Sequence, residues 1–103
     1  MEILVKKDLV NNSKYLISPV GKIDTVTAVE FGTTVNDAID DYEISELVVD
    51  FEKVTYVSSM GLRVILELQK KMMNIGYMEL INVPQTVLDV FKMTGFDKIL
   101  TIK

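Results

Sequence analysis

The sequence predicts a single α/β domain in which helices pack against a mixed, mostly parallel β-sheet. Its 103 residues suffice for one core, and 49% of them are hydrophobic. Short β-prone runs alternate along the chain with amphipathic segments of helical period. Glu46–Phe51 is nearly continuous in apolar β-formers, a pattern typical of a strand covered on both faces. We therefore expect one domain over residues 1–103, with the element order ββ-α-β-α-β-α-β.

The N-terminal segment is predicted to form a β-hairpin. Glu2–Lys7 and Lys14–Val20 are β-prone, and residues 8–13 between them contain the Asp, Asn and Ser residues expected of a turn. Pro19 has no N–H donor, so the second strand is expected to lie at a sheet edge or to end there. Gly21–Asp24 is then predicted to turn the chain.

Two amphipathic helices are predicted in the middle of the chain. Residues 28–42 place apolar side chains at i, i+3 and i+4 spacing, and Asp24 or Thr25 can cap the start of this helix. Met60–Ile75 has the clearest helical pattern, with one polar stripe on an otherwise apolar cylinder. Gly76 is placed to end this second helix.

The C-terminal segment is predicted to add a strand, a short helix and a final strand. Met78–Val83 is the β-prone run that follows the second helix. Pro84 suits the first position of a helix, where an N–H is not needed, and Gly95 is placed to stop that helix. Lys98–Ile102 is expected to close the sheet as its last strand.

Composition excludes several classes of function. The chain has no histidine and no cysteine, which rules out Ser-His-Asp and Cys-His catalysis, histidine-ligated zinc and disulfides. A net charge of −4 without a basic cluster argues against binding of nucleic acid. No apolar run approaches the roughly 20 residues of a membrane span, and the N-terminus lacks the features of a signal peptide. These features predict a cytoplasmic protein that does not associate with membranes.

Two adjacent serines, Ser58 and Ser59, stand where a β-prone run gives way to the second helix. A serine at this point can be an N-cap, because its oxygen accepts an N–H of the first helical turn. A cap needs only one serine, and a helix N-terminus also tolerates a phosphate, which adds about −1.5 to −2 charges. Gly61 is expected to keep the nearby surface low enough for another protein's active site. The pair is therefore interpreted either as a simple cap or as a phosphoacceptor.

Four spaced motifs resemble those of a known family. Gly21–Asp24 is similar to the family's Gly-x-Leu/Ile-Asp turn before its first helix, and Val48–Phe51 to a central strand that ends in Asp-Leu or Asp-Phe. Ser58–Arg63 is similar to the family's phosphorylation loop and helix start, and Thr94–Lys98 to its Thr-Gly-Leu-Asp-Lys motif. The chain thus resembles a STAS domain over nearly its whole length, and specifically a bacterial anti-sigma factor antagonist.

The resemblance implies a partner-switching protein that is not an enzyme. Such an antagonist, when unphosphorylated, binds an anti-sigma factor that is also a serine kinase, and this binding frees the sigma factor. Phosphorylation of the antagonist dissociates the complex, and a PP2C-type, metal-dependent phosphatase reverses the modification. The ATP and the metal belong to these partners, so no cofactor is expected in this chain.

The resemblance also implies which residues take part. The common family form has its acceptor hydroxyl immediately before the glycine, where this chain has Met60, which cannot be phosphorylated. Ser59 is therefore the predicted phosphoacceptor, with Ser58 as the alternative. The residues expected to contact the partner are Asp24, Ser58, Met60, Gly61 and Arg63.

Other interpretations stay open at this stage. Asp24 could serve only as a helix cap, Arg63 could be solvated, and Asp50 at the end of a central strand could hold either a site or a turn. The chain could also be a STAS scaffold that is never phosphorylated, or a subunit of a larger sensory or lipid-transport assembly. A small hydrolase that uses Asp24 and Asp50 is the remaining alternative.

Overall fold

The computed structural model describes residues 1–8, 13–42 and 44–103 of the chain. Within these residues the chain forms five strands, three α-helices and a short 3₁₀ turn. In chain order they are β1 (Glu2–Lys7), β2 (Lys14–Ile23), α1 (Thr25–Tyr42), β3 (Glu46–Asp50), β4 (Val54–Val57), α2 (Ser59–Ile75), β5 (Tyr77–Ile81), α3 (Gln85–Thr94) and the 3₁₀ turn (Phe96–Lys98). Most of the turn predicted between β1 and β2 lies outside the described residues.

The strands form a mixed sheet in which parallel pairs predominate. Its order is β1-β2-β3-β5, and β4 pairs with β2 beside this path. β1 and β2 form the predicted antiparallel hairpin, whereas the pairs β2–β3, β2–β4 and β3–β5 are parallel. The predicted α/β class with a mixed, mostly parallel sheet is therefore confirmed.

β2 is central to the sheet because it serves three neighbouring strands. Residues 14–17 pair with β3 and residues 21–23 with β4, while β1 runs along the other side. Pro19 is buried between these two segments, where its missing N–H interrupts neither parallel ladder. The expectation that Pro19 marks an edge strand or a strand end is therefore wrong. The turn predicted at Gly21–Asp24 is also wrong: β2 continues, with a register shift at its glycine, whose φ is 100°.

One hydrophobic core lies between the sheet and the helices. Alternate strand residues point toward the helices, as the two-residue period of a strand requires. The buried members of this sheet face are Tyr15, Ile17, Leu47, Val49, Met78 and Leu80. Phe51, which follows β3, and Phe91 of α3 meet at a ring-centroid distance of 6.3 Å. Each large side chain buried in this way stabilises the fold by roughly 1.5–3 kcal/mol.

The end of the chain differs from the last strand predicted at Lys98–Ile102. Gly95 adopts a left-handed conformation (φ 78°) that ends α3 and leads directly into the 3₁₀ turn. Because this turn uses residues that a strand would need, only Ile102 forms a bridge to β5 within the described chain, at Leu80. The sheet still has five strands, because β4 (Val54–Val57) forms a strand that the predicted element order left out.

Candidate functional site

Two helix starts lie side by side at one end of the sheet. β2 and β4 run parallel and are in register at Ile23 and Val57, the last residue of each strand. The residue that follows each strand, Asp24 or Ser58, caps the next helix. We call Asp24 together with Ser58–Arg63 the helix corner. This corner brings together all the residues that the sequence predicted as phosphoacceptors or partner contacts.

Ser58 is the N-cap of α2. Its Oγ accepts a hydrogen bond from the Gly61 N–H at 3.1 Å, and its backbone is extended (φ −80°, ψ 173°), as an N-cap requires. Its own N–H donates to the Ile23 carbonyl at 2.9 Å, and its carbonyl accepts from the Leu62 N–H at 2.8 Å. Because its side chain is half-buried and engaged, Ser58 fills the capping role that the sequence assigned to one of the two serines.

Replacement of Ser58 by alanine is expected to destabilise the domain by about 1 kcal/mol, because the Gly61 N–H loses its acceptor. The matched Ser59→Ala change is expected to stay within about 0.5 kcal/mol of the wild type, since Ser59 is exposed. Urea unfolding of the two variants measures both values. An equal loss in the two variants would contradict this division of roles.

Ser59 is the first residue of α2 and is exposed. Its hydroxyl forms no hydrogen bond with any residue that the structure describes. It lines a surface groove of about 290 Å³ between α2 and the end of α3. The other residues that line the groove are Leu62, Arg63, Leu66, Thr94 and Phe96. Of the two serines, Ser59 is therefore the more exposed.

Gly61 is buried where α2 starts against the end of β2. A Cβ atom at this position would lie 2.7 Å from the Ile23 carbonyl oxygen and 3.0 Å from a Val57 methyl group. Since real Cβ atoms do not approach a carbonyl so closely, the first turn of α2 can lie this near β2 only with a glycine. Gly61 is thus a packing contact and does not form the low surface beside the serines that the sequence suggested.

Asp24 caps α1 in a reciprocal arrangement with Thr27. Its Oδ1 accepts from the N–H groups of Val26 at 3.0 Å and of Thr27 at 2.9 Å. The Thr27 hydroxyl accepts from the Asp24 N–H at 2.8 Å and donates to the Lys22 carbonyl at 2.6 Å. The hydrogen bond from the Thr27 N–H is the main reason that the pKa of Asp24 lies below its ordinary value.

The other predicted residues have different surroundings. Asp50, at the end of β3, accepts hydrogen bonds from the Glu52 N–H at 2.9 Å and from Asn82 Nδ2 at 3.2 Å. Of the two interpretations of Asp50, a site or a turn, these hydrogen bonds favour the turn. Arg63 is exposed and forms no ion pair with another described residue. Met60 is half-buried and packs against the edge of the core.

Three residues of this region were not predicted as site residues. Thr27 completes the cap of α1. The sequence feature that could have predicted this role is an Asp and a Thr three positions apart at the start of a helix. Thr94 and Phe96 line the same groove as Ser59. Their membership of the Thr94–Lys98 motif was the available signal, and their distance from Ser59 along the chain concealed the contact.

A comparison with known families identifies the class of protein. The STAS-domain family profile matches residues 5–103. The chain therefore belongs to the STAS-domain family. Among residues 1–8, 13–42 and 44–103, none of the helices has the length and apolarity that a membrane crossing requires.

Solved structures share this fold at low sequence identity. An anti-sigma factor antagonist from Mycobacterium paratuberculosis is 21% identical, with a TM-score of 0.81 over 98% of this chain and 85% of that one. The phosphorylated form of the Bacillus cell fate determinant SpoIIAA is 18% identical, with a TM-score of 0.71 over 97% of this chain and 91% of that one. The murine solute carrier 26 member A9 anion transporter is 17% identical, with a TM-score of 0.74 over 89% of this chain but 16% of that one.

Proposed function

We propose that this chain is an anti-sigma factor antagonist controlled by phosphorylation. In its unphosphorylated form it binds an anti-sigma factor that is also a serine kinase, and this binding frees the sigma factor. Phosphorylation of Ser59 by the kinase dissociates the complex, and a PP2C-type phosphatase restores the binding form. The chain itself supplies a docking surface and a substrate hydroxyl, and its partners supply the ATP, the metal and the chemistry.

The contrast between the two serines is the observation that most directly supports the proposal. Ser58 Oγ accepts the Gly61 N–H, whereas the Ser59 hydroxyl is exposed on the next residue. A phosphate on Ser59 therefore leaves the cap of α2 in place. Its negative charge in the first helical turn also interacts favourably with the helix dipole, by about 0.3–1 kcal/mol. Modification at this position changes the surface of the domain without opposing its fold.

The corner also offers apolar surface for a partner. Val26 and Val29, in the first two turns of α1, are 79% and 61% exposed. The start of α1 lies beside the start of α2, because Ile23 and Val57 are in register. Val29 lines a groove with Val64 of α2. Exposed apolar side chains beside a modifiable hydroxyl suit a protein interface that is sensitive to added charge.

The energy required for switching is modest. Conversion of a micromolar complex into a millimolar one takes about 4 kcal/mol. A phosphate of about −1.5 to −2 charges, placed in a closely fitted interface, loses its hydration without gaining a matching cation. Removal of a charged group from water costs several kcal/mol, so one phosphate on Ser59 suffices to dissociate the partner.

The proposal is tested by capture of the partner followed by mapping of the modification. The immobilised chain retains its kinase partner from an extract of the source organism without ATP, and Mg²⁺-ATP is then added. Release of the partner together with one phosphate on Ser59, located by mass spectrometry, is the expected result. Ser59→Ala is expected to hold the partner after ATP is added. Thr55→Ala, which removes another exposed hydroxyl, is expected to behave as the wild type.

Two results would contradict the proposal. One is release of the partner by ATP from the Ser59→Ala variant at the wild-type rate. The other is a phosphate mapped outside the helix corner, for example on Thr55. Retention of a partner that ATP never releases, in the wild type as well, would favour the second candidate function.

The second candidate function is that of a constitutive STAS scaffold or a subunit of a larger assembly. It is favoured by the likeness to the anion transporter, because the matched region makes up only 16% of that larger chain. This alternative predicts stable partner binding that neither ATP nor the double change Ser58→Ala/Ser59→Ala affects. The same capture experiment therefore separates the two candidates.

A further inference from the structure

The sheet face opposite the helices is an open surface. Its central groove, of about 420 Å³, is lined by strand residues from β1, β2, β3 and β5 together with Asp8, which follows β1. The apolar floor of this groove consists of Leu16, Val48 and Ile81. We call this surface the open face. None of the described helices covers it, because the core residues of α1, α2 and α3 pack on the other side.

In two rows of the open face the charges are divided by strand. The register places Lys6, Leu16, Val48 and Glu79 in one row across β1, β2, β3 and β5. A neighbouring row places Lys14 of β2 beside Glu46 of β3. Within these two rows the cations lie on β1 and β2 and the anions on β3 and β5, with Leu16 and Val48 between Lys6 and Glu79. No ion pair within the described chain neutralises these four charged residues. Asp8, an anion next to Lys14, also lines the groove.

We propose that the open face docks a second copy of this chain. Rotation of a copy by 180° about an axis parallel to the strands, midway between β2 and β3, stacks β1 over the copy's β5 and β2 over its β3. Each row then meets itself in reverse order. Lys6 faces the copy's Glu79, Leu16 faces its Val48, and Lys14 faces its Glu46, and every contact occurs twice. These two rows are therefore complementary to themselves in charge and in apolar character.

The charges also select this arrangement over the other two-fold arrangement. An axis across the strands would stack β1 on the copy's β1 and bring Lys6 to Lys6 and Glu79 to Glu79, which is repulsive. Stacked sheets lie about 10 Å apart, a gap that lysine and glutamate side chains from both copies can span. Ser59 and its groove belong to the helix side of the domain and stay accessible in this dimer.

The expected dimer is weak. Four strands about 4.8 Å apart make a narrow face, so the buried area falls below the roughly 1,200–2,000 Å² of a standard interface. We expect a dissociation constant on the order of 100 µM. Sedimentation equilibrium of the full chain between about 10 µM and 1 mM at low salt is therefore the appropriate measurement.

Charge-reversal variants test the proposed register. Lys6→Glu/Lys14→Glu makes all four charges of the two rows negative, and Glu46→Lys/Glu79→Lys makes all four positive. Each variant alone is expected to self-associate at least tenfold more weakly than the wild type. An equimolar mixture is expected to regain association at or above the wild-type level, because each cation again meets an anion. Lys70→Glu/Lys98→Glu makes the same charge change at exposed residues outside the open face and is expected to leave the dimer unchanged.

Recovery in the mixture excludes misfolding as the cause of the loss. A wild-type chain that is monomeric at 1 mM would overturn the proposal and leave the open face to a different partner. So would variants that self-associate as tightly as the wild type, or a mixture that recovers nothing although both variants keep the wild-type circular dichroism spectrum.

Discussion

Gly76→Ala is expected to destabilise the domain by about 3 kcal/mol or more. Gly76 ends α2, and its N–H donates to the Met72 carbonyl at 2.7 Å. A Cβ atom at this position would overlap the carbonyl oxygen of Ser45, and that oxygen accepts the Tyr77 N–H at 2.8 Å. Since the obstacle is backbone, relief requires β3 and β5 to separate where their pairing begins, at Glu46 and Tyr77.

Gly32→Ala is the matched control for this substitution. A Cβ atom at Gly32 would lie 3.0 Å from a methyl group of Val64, which belongs to a side chain that can move. Alanine also gains about 1 kcal/mol of helix propensity at this position in α1. Guanidinium unfolding should thus show a large loss for Gly76→Ala and little change for Gly32→Ala. A loss below about 1 kcal/mol for Gly76→Ala would disprove the close approach.

Ser59→Asp is expected to weaken binding of the kinase partner by about 100-fold, which corresponds to about 2.7 kcal/mol. An aspartate carries one negative charge into the proposed interface, whereas a phosphoserine carries about −1.5 to −2 charges. The aspartate is therefore expected to weaken the complex without dissociating it fully. Calorimetric titration of the purified partner with the two forms of the chain measures the change. The fold should be unaffected, because an acidic residue in the first turn of α2 is favourable for the helix.

Thr55→Asp is the charge-matched control for the aspartate variant. Thr55 lies on β4, is exposed, and does not line the groove that contains Ser59. The Thr55→Asp variant should therefore bind the partner with nearly wild-type affinity. Equal weakening by both variants would mean that the partner responds to net charge alone, and the assignment of Ser59 would be lost.

Much of the fold could be predicted from local patterns. The apolar run at Glu46–Phe51 correctly predicted the strand β3, although the described helices cover only one of its two faces. The helical period of residues 60–75 correctly predicted α2. The errors have a common physical cause, which is pairing that no local pattern encodes. The four residues of β4 are too few for a periodic signal, and they form a strand because β2 extends beyond β3 to meet them.

The same limit applies to the candidate site. Two adjacent serines before a helical pattern indicated a cap and a spare hydroxyl. The local pattern could not say which was which, and only the family resemblance favoured Ser59 as the phosphoacceptor. That assignment depends on where α2 begins, and the pairing of β4 with β2 sets this point. The role of Gly61 was likewise missed, because its neighbour Ile23 is 38 positions earlier in the chain.

The in-register pair of Ile23 and Val57 has a consequence for how this corner can evolve. Both helices begin two residues beyond that pair, so hydrogen bonds between main-chain atoms fix the height of one helix start relative to the other. Side chains that face outward at the corner take no part in this alignment. New partners can therefore be recognised through exchange of exposed residues such as Val26, Ser59 and Arg63 on a frame that stays constant.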